Sequence, residues 1–126
     1  IFKETEFRGC KLVGLRFEDC NDLLLSVQFK GCNLTLSSFY GLSLKATPFL
    51  DCLLSETDFT EANLSMALFS GCNLEKAIFE QTNLSGANLS SSFNLSIAPE
   101  RNQLKKARFS KDNLIGLLKK YDIVVE

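Results

Sequence analysis

The chain has 126 residues, of which 45% are hydrophobic and 23% are charged, and its 14 Lys and Arg against 15 Asp and Glu give a formal charge of −1. This length and composition fit one globular domain with a hydrophobic core and exclude a disordered chain. The chain holds eleven Phe but no His, which excludes catalytic triads and metal sites built on histidine.

The sequence gives no sign of a membrane span or of disulfide pairing. The longest clear apolar run, residues 23–25, is far shorter than the roughly 20 residues that cross a bilayer. The five cysteines form no Cys-x-x-Cys pair, and an odd number without paired spacing predicts reduced thiols. With no recognisable secretory signal, we expect a cytoplasmic protein that does not bind membranes. Because the chain begins at Ile1 rather than Met, we expect that its natural N-terminus is missing.

Phenylalanine and leucine recur at every fifth position. The first copies are Phe2, Phe7, Leu12 and Phe17, and a step of seven residues to Leu24 predicts a bulge near residues 18–23. From position 24 to position 89, all fourteen fifth positions are Phe or Leu. A period of five fits neither a helix nor a flat strand. Each unit is therefore predicted to be a short extended piece and a turn, with the apolar residue pointing inward.

The neighbouring positions support this interpretation. Two residues before each Phe or Leu the side chain is mostly small, which indicates a crowded inward site. Cys32, Cys52 and Cys72 belong to this column. We therefore predict that they pack in the core and do not form a metal site. The intervening residue is often Asn or Asp, and these side chains bind turn backbones. Gly9, Gly31 and Gly71 share one corner and are predicted to be turn glycines.

Three units carry the clearest motif: residues 62–66 (Ala-Asn-Leu-Ser-Met), 72–76 (Cys-Asn-Leu-Glu-Lys) and 87–91 (Ala-Asn-Leu-Ser-Ser). They resemble the pentapeptide-repeat family, whose unit reads Ala-(Asn/Asp)-(Leu/Phe)-x-x. The resemblance covers roughly residues 2–114 and implies an all-β fold, a right-handed quadrilateral β-helix in which four units make one coil. The period itself establishes neither the four sides nor the hand. About five coils are expected.

Four-sided coils would stack residues that lie twenty apart. Phenylalanines then fill two opposite faces and leucines the other two. The predicted core consists of Phe7, Phe17, Leu24, Phe29, Leu34, Phe39, Leu44, Phe49, Leu54, Phe59, Leu64, Phe69, Leu74, Phe79, Leu84, Leu89 and Phe109.

The register breaks a second time after Leu89, because positions 94 and 99 are Asn and Pro. We predict an irregular loop near residues 92–103, with the repeat resuming at Leu104. The β-helix is thus expected over residues 1–110. Residues 111–126 are predicted to form a short helix, with Ser110 as its N-cap, and a short apolar strand.

Two interpretations of this tail remain open. In the first, it only caps the open end of the β-helix, which would otherwise expose its core and strand edges. It also resembles the tail of the quinolone-resistance (Qnr) proteins, which are pentapeptide-repeat proteins. That resemblance implies a homodimer through the C-terminus, with an interface formed by Ile115, Leu118, Tyr121, Ile123, Val124 and Val125.

The near-neutral total charge hides a strong asymmetry. Residues 1–100 hold 12 acidic and 7 basic residues, a net charge of −5, whereas residues 101–120 hold one acid and seven bases, a net charge of +6. Five acids are predicted to lie beside one Phe face: Glu18, Asp19, Asp58, Glu61 and Glu80. Regularly spaced acids can imitate DNA, but an ordinary solvated acidic surface is the simpler interpretation.

The Qnr resemblance implies a non-enzymatic DNA mimic that binds the bacterial type II topoisomerases, DNA gyrase and topoisomerase IV, and protects them from quinolones. The alternative is a structural scaffold for another protein partner. Catalysis is not expected, because no nucleophile has a nearby base and no Gly-rich phosphate loop occurs. For the same reason we expect no cofactor, metal or small-molecule substrate.

Overall fold

The structure is a computed structural model that describes residues 5–20 and 26–126. Phe2, Leu24 and residues 21–23 of the predicted bulge lie outside these ranges. Four short strands, β1 (Thr5–Arg8), β2 (Val27–Lys30), β3 (Pro48–Leu50) and β4 (Leu68–Ser70), form one parallel sheet in chain order. Isolated parallel bridges join the coils on the other three sides, such as Asn33 with Leu53, Ser38 with Asp58, and Asn63 with Asn83.

The pairing register gives the size of each coil. Phe29 pairs with Phe49, and Phe49 pairs with Phe69, so one coil takes twenty residues. Phe7, in contrast, pairs with Phe29, 22 residues later, and the same offset holds for Arg16 and Ser38. The two extra residues therefore lie between residues 16 and 27, in agreement with the long step in the sequence.

Each corner of the coil is a tight turn. From residue 36 to residue 86, the second residue after each inward side chain has a positive φ, between 51° and 70°. In the turn after Leu34, the N–H of Ser37 donates to the Leu34 carbonyl at 3.0 Å and Leu36 has a φ of 62°, as in a type II turn. Gly31 and Gly71 supply this conformation without steric cost, whereas Leu36 and Ala46 are held in it by the hydrogen bonds between coils.

The core is built from stacked rings. On one face Phe7, Phe29, Phe49 and Phe69 stack with centroid distances of 5.0 to 5.3 Å. On the opposite face Phe17, Phe39, Phe59 and Phe79 stack at 4.6 to 5.4 Å. The two columns meet edge to face, as aromatic quadrupoles prefer. Among the predicted core residues that the structure describes, all are buried except Phe7 and Phe109, which are half-buried at the two ends.

The segment after Leu89 is irregular, but it inserts no extra residues. Asn73 bridges to Phe93, and Asn83 bridges to Gln103, so the spacing of twenty is kept on both sides of it. Leu95 and Ile97, out of phase in the sequence, are 1% and 2% exposed and fill the core where positions 94 and 99 cannot. A 3₁₀ turn, Pro99–Arg101, then leads back to the regular coil.

The C-terminal segment closes this end of the β-helix. The predicted short helix is present as two 3₁₀ helices, Leu114–Leu117 and Lys119–Tyr121, rather than as one continuous helix. The predicted strand is absent from the single chain: the backbone turns at Asp122, which has a φ of 51°, and residues 122–126 form no bridge to the described coils. A strand needs a run of extended residues alongside a partner, and the positive φ of Asp122 breaks that run near its start.

Candidate functional site: an acidic side and an apolar end

The predicted acidic surface lies on one side of the β-helix, outside the column of Phe17, Phe39, Phe59 and Phe79. A 3₁₀ turn, Phe17–Asp19, begins it, and the bridges from Ser38 to Asp58 to Ile78 continue it along the axis. The structure thus places Glu18 and Asp19, then Asp58 and Glu61, then Glu80 on this side of three coils, while the coil of Phe39, between the first two, presents Tyr40 instead of an acid. We refer to these five residues as the acidic surface.

Hydrogen bonds within the chain orient the carboxylates. The Ser38 hydroxyl, in the neighbouring coil, donates a hydrogen bond to the Glu18 carboxylate at 2.9 Å. Asp58 accepts from both the backbone N–H and the hydroxyl of Thr60, at 2.9 and 2.6 Å. These contacts reduce the freedom of the carboxylates before any partner arrives.

Two arginines lower the charge of the acidic surface. Arg16 lies 3.7 Å from Glu18 and 3.4 Å from Asp19, and Arg101 pairs with Glu80. Neither contact was predicted from the sequence, although Arg16 precedes Glu18 by two residues and Arg101 lies one coil beyond Glu80. Both arginine side chains are mostly exposed, so the pairs are weak and a partner can displace them.

Apolar side chains interrupt the acids. Tyr40 and Ile78 are each 46% exposed on this side of the molecule. The Tyr40 hydroxyl donates a hydrogen bond to Glu61, and this bond together with the negative charge of Glu61 raises the pKa of Tyr40. The acidic surface is therefore a mixed surface rather than an unbroken row of charges.

The stacked cysteines have a structural role. The thiols of Cys32, Cys52 and Cys72 each donate to the carbonyl of a phenylalanine in the preceding coil, at 3.1 to 3.5 Å, and Ser92 makes the same bond with its hydroxyl. The pKa of the Cys72 thiol is raised by its hydrogen bond to Cys52 and by burial. Burial also raises the pKa of the Cys32 thiol. In residues 5–20 and 26–126, no cluster of His, Cys, Asp or Glu has the geometry to hold a metal ion.

The apolar end is the second candidate site. Leu118, Tyr121, Ile123, Val124 and Val125 are exposed by 39 to 83% in the single chain, and Ile115 is half-buried. The segment before them is fixed: the Asn113 side chain donates to the carbonyls of Leu89 and Ser92 at 2.7 and 2.9 Å.

Gly116 completes this anchor. Its carbonyl accepts from the Ile97 N–H at 3.0 Å, and a Cβ atom at this position would collide with Leu95. Neither role is visible in the sequence pattern, in which Asn113 lies in the first turn of the predicted helix and Gly116 is a poor helix former. The absence of a Cβ is what allows the tail to approach the last coil.

The family follows from the sequence match to these coils. A pentapeptide repeat region matches residues 23–109. The chain belongs to the pentapeptide-repeat family. The solved structure of QnrB1, a plasmid-mediated fluoroquinolone resistance protein, superposes with a TM-score of 0.74 at 18% identity, over 96% of this chain and 58% of that one. A pentapeptide repeat protein from the Arabidopsis thaliana thylakoid lumen superposes with a TM-score of 0.50 at 30% identity, over 79% of this chain and 61% of that one.

These likenesses confirm the right-handed quadrilateral β-helix. The pentapeptide-repeat chain spans about three fifths of the length of either solved protein. No curated protein matches its sequence. Among the described residues, no helix is long and apolar enough to cross a membrane.

Proposed function

We propose that this pentapeptide-repeat protein binds another protein along the side of its β-helix and catalyses no reaction. The support is the filled interior of the described coils: stacked Phe and Leu side chains occupy the space that a substrate would need. The outer side chains, in contrast, are presented on a rigid frame. Because all five cysteines are free thiols, the proposed setting is a reducing compartment such as the bacterial cytoplasm.

The partner we propose is a type II topoisomerase, DNA gyrase or topoisomerase IV, bound by imitation of duplex DNA and thereby protected from quinolones. The observation that carries this proposal is the acidic surface: five carboxylates on one side, several of them oriented by hydrogen bonds within the chain. Stacking of coils about 4.8 Å apart places these carboxylates along one axis, interrupted at Tyr40, as phosphates lie along a DNA backbone. The fold shared with QnrB1 is consistent with this partner.

A binding measurement tests the partner. Immobilised gyrase or topoisomerase IV should bind the wild-type chain, and Asp19→Lys with Glu61→Lys should weaken binding by about tenfold or more, since charge complementarity is reversed. Glu56→Lys with Glu75→Lys is the matched control, because both of these acids are exposed on another corner and the change in net charge is the same. Equal loss in both variants would contradict a role for the acidic surface.

The second candidate is a scaffold for a different protein partner. Arg16 and Arg101 within the acidic surface, and the exposed Tyr40 and Ile78, favour it, because a protein interface combines apolar contacts with charges of both signs. Absence of binding to both topoisomerases by the wild-type chain would select this candidate.

We also propose that the apolar end pairs two copies into a homodimer. An end that exposes Ile123, Val124 and Val125 by 51, 83 and 66% is unusual for a monomer, and a second copy would bury these side chains. The partner's tail would also supply the strand edge that residues 122–126 lack within one chain.

A further inference from the structure

A band of positive charge lies across the last regular coil. Lys105 and Lys106 occupy the corner after Leu104, Arg108 lies on the next side, where it bridges to Asn88, and Lys111 follows Phe109 at the next turn. All four side chains are exposed. We refer to these four residues as the basic band.

The basic band is not neutralised by the chain. Among the described residues none of its four cations lies within 4.0 Å of a carboxylate, whereas Arg101 and Lys120 nearby are paired with Glu80 and Glu100. The band lies in the segment of residues 101–120, whose net charge is +6. The charge therefore remains available to a partner.

The coil beneath the basic band is also suited to phosphate groups. The residues stacked below it, 85–91, are Ser-Gly-Ala-Asn-Leu-Ser-Ser, and none of them is charged. The outward residues of this stretch are short: the Ser90 hydroxyl donates to Asn88, whereas the exposed Ser91, one coil below Lys111, accepts from the Gly71 N–H and keeps its hydroxyl hydrogen for another acceptor. Cations beside hydroxyl and amide donors are what proteins use to hold phosphate oxygens in nucleic acids.

We infer that the basic band binds the phosphodiester backbone of duplex DNA. A membrane fits less well, since lipid surfaces are bound by cations interleaved with exposed apolar side chains. Here the exposed Met66 lies against Gly86, in the coil beneath the band, but residues 105–111 themselves present no exposed apolar side chain between the cations. This inference goes beyond the proposed function and does not depend on it, because it involves no residue of the acidic surface.

Fluorescence anisotropy with a labelled duplex of about 20 base pairs tests the inference across salt concentrations from about 25 to 200 mM. The wild-type chain should bind in the micromolar range at low salt, with log K falling linearly with log [salt]. Lys105→Gln, Lys106→Gln and Arg108→Gln together should weaken binding by about tenfold or more and flatten the slope by about one for each lost phosphate contact.

A matched variant removes the same number of charges elsewhere. Lys11→Gln, Lys30→Gln and Lys45→Gln alter three exposed lysines on the first coils, and binding should stay within about twofold of wild type. Circular dichroism identifies any variant that fails to fold. If the basic-band triple variant fails to fold, Lys111→Glu alone replaces it. The inference is overturned if the wild-type chain shows no salt-sensitive binding to the duplex, or if both triple variants lose the same amount of affinity. It is also overturned if the chain binds vesicles containing anionic lipid but not the duplex.

Discussion

The hydroxyl of Tyr40 donates a hydrogen bond of 2.8 Å to the carboxylate of Glu61, one coil further along the β-helix. This contact places an aromatic ring in the middle of the acidic surface and holds one of its acids in a fixed orientation. The same contact raises the pKa of Tyr40, because ionisation of the phenol would remove the donor and put two negative charges side by side.

The Tyr40 contact predicts a pH dependence. Since the folded-state pKa is raised above that of the unfolded chain, the contact stabilises the fold below the ordinary tyrosine pKa of about 10, and this contribution is lost as pH rises through the raised value. In a Tyr121→Phe background Tyr40 is the only tyrosine, so absorbance near 295 nm follows its titration. Glu61→Gln should lower the midpoint; an unchanged midpoint would show that Glu61 does not cause the shift.

The stacked core predicts a large cost for truncating one ring. Phe59 is fully buried, stacks on Phe39 and Phe79 at 5.4 and 5.3 Å, and meets the opposite column edge to face. Phe59→Ala should lower the free energy of unfolding by about 3–5 kcal/mol, through lost contacts and a cavity. Phe93→Ala is the control, because Phe93 is 48% exposed, and its effect in urea denaturation should stay below about 1 kcal/mol. Similar losses at both positions would argue against inward stacking.

The C-terminal anchor predicts that one side chain holds the tail on the last coil. Asn113 is 8% exposed and donates to two carbonyls while accepting from the Ser110 N–H at 2.8 Å. Asn113→Ala should cost about 1–3 kcal/mol, since buried carbonyls lose their donor. Limited proteolysis should then cut the tail sooner than in wild type. The exposed Ser96→Ala should change neither measurement; an unaltered cleavage rate in Asn113→Ala would contradict the anchor.

The proposed homodimer has a salt dependence of unusual sign. Each copy would bring a segment of charge +6 to the junction, so added salt should screen the repulsion and tighten the dimer. Sedimentation velocity at several salt concentrations measures this. Val124→Asp should give a monomer, whereas Leu36→Asp, at an exposed leucine on the body, should leave the dimer intact. A wild-type chain that stays monomeric at high micromolar concentration in all salts would refute the proposal.

Much of the fold could be predicted from the sequence because one interaction repeats. The five-residue period identifies the inward side chains, and the step from Phe17 to Leu24 locates the long coil that the register of Phe7 and Phe29 shows. The five-residue period stops identifying the inward side chains where Phe and Leu are replaced at the expected positions. At positions 94 and 99, Asn and Pro cannot fill the core, and no local rule indicates that Leu95 and Ile97 would take over.

The candidate sites were less predictable because they depend on contacts between coils and at the chain's end. The sequence indicates which side carries the acids, but not that Arg16 and Arg101 turn toward them. Residue preferences also mislead at single positions: Leu36 adopts a positive φ that the stacked coils impose, and Gly116 is needed for close packing, although it is a poor helix former.

Quinolone inhibition of gyrase supercoiling tests the central proposal most directly. With drug at an inhibitory concentration, added wild-type protein should restore supercoiling in a concentration-dependent manner. The Asp19→Lys and Glu61→Lys variant should fail to do so, while the folded Glu56→Lys and Glu75→Lys control should protect. If excess wild-type protein leaves both supercoiling and drug sensitivity unchanged, for gyrase and for topoisomerase IV in the matching decatenation assay, the DNA-mimic account is wrong.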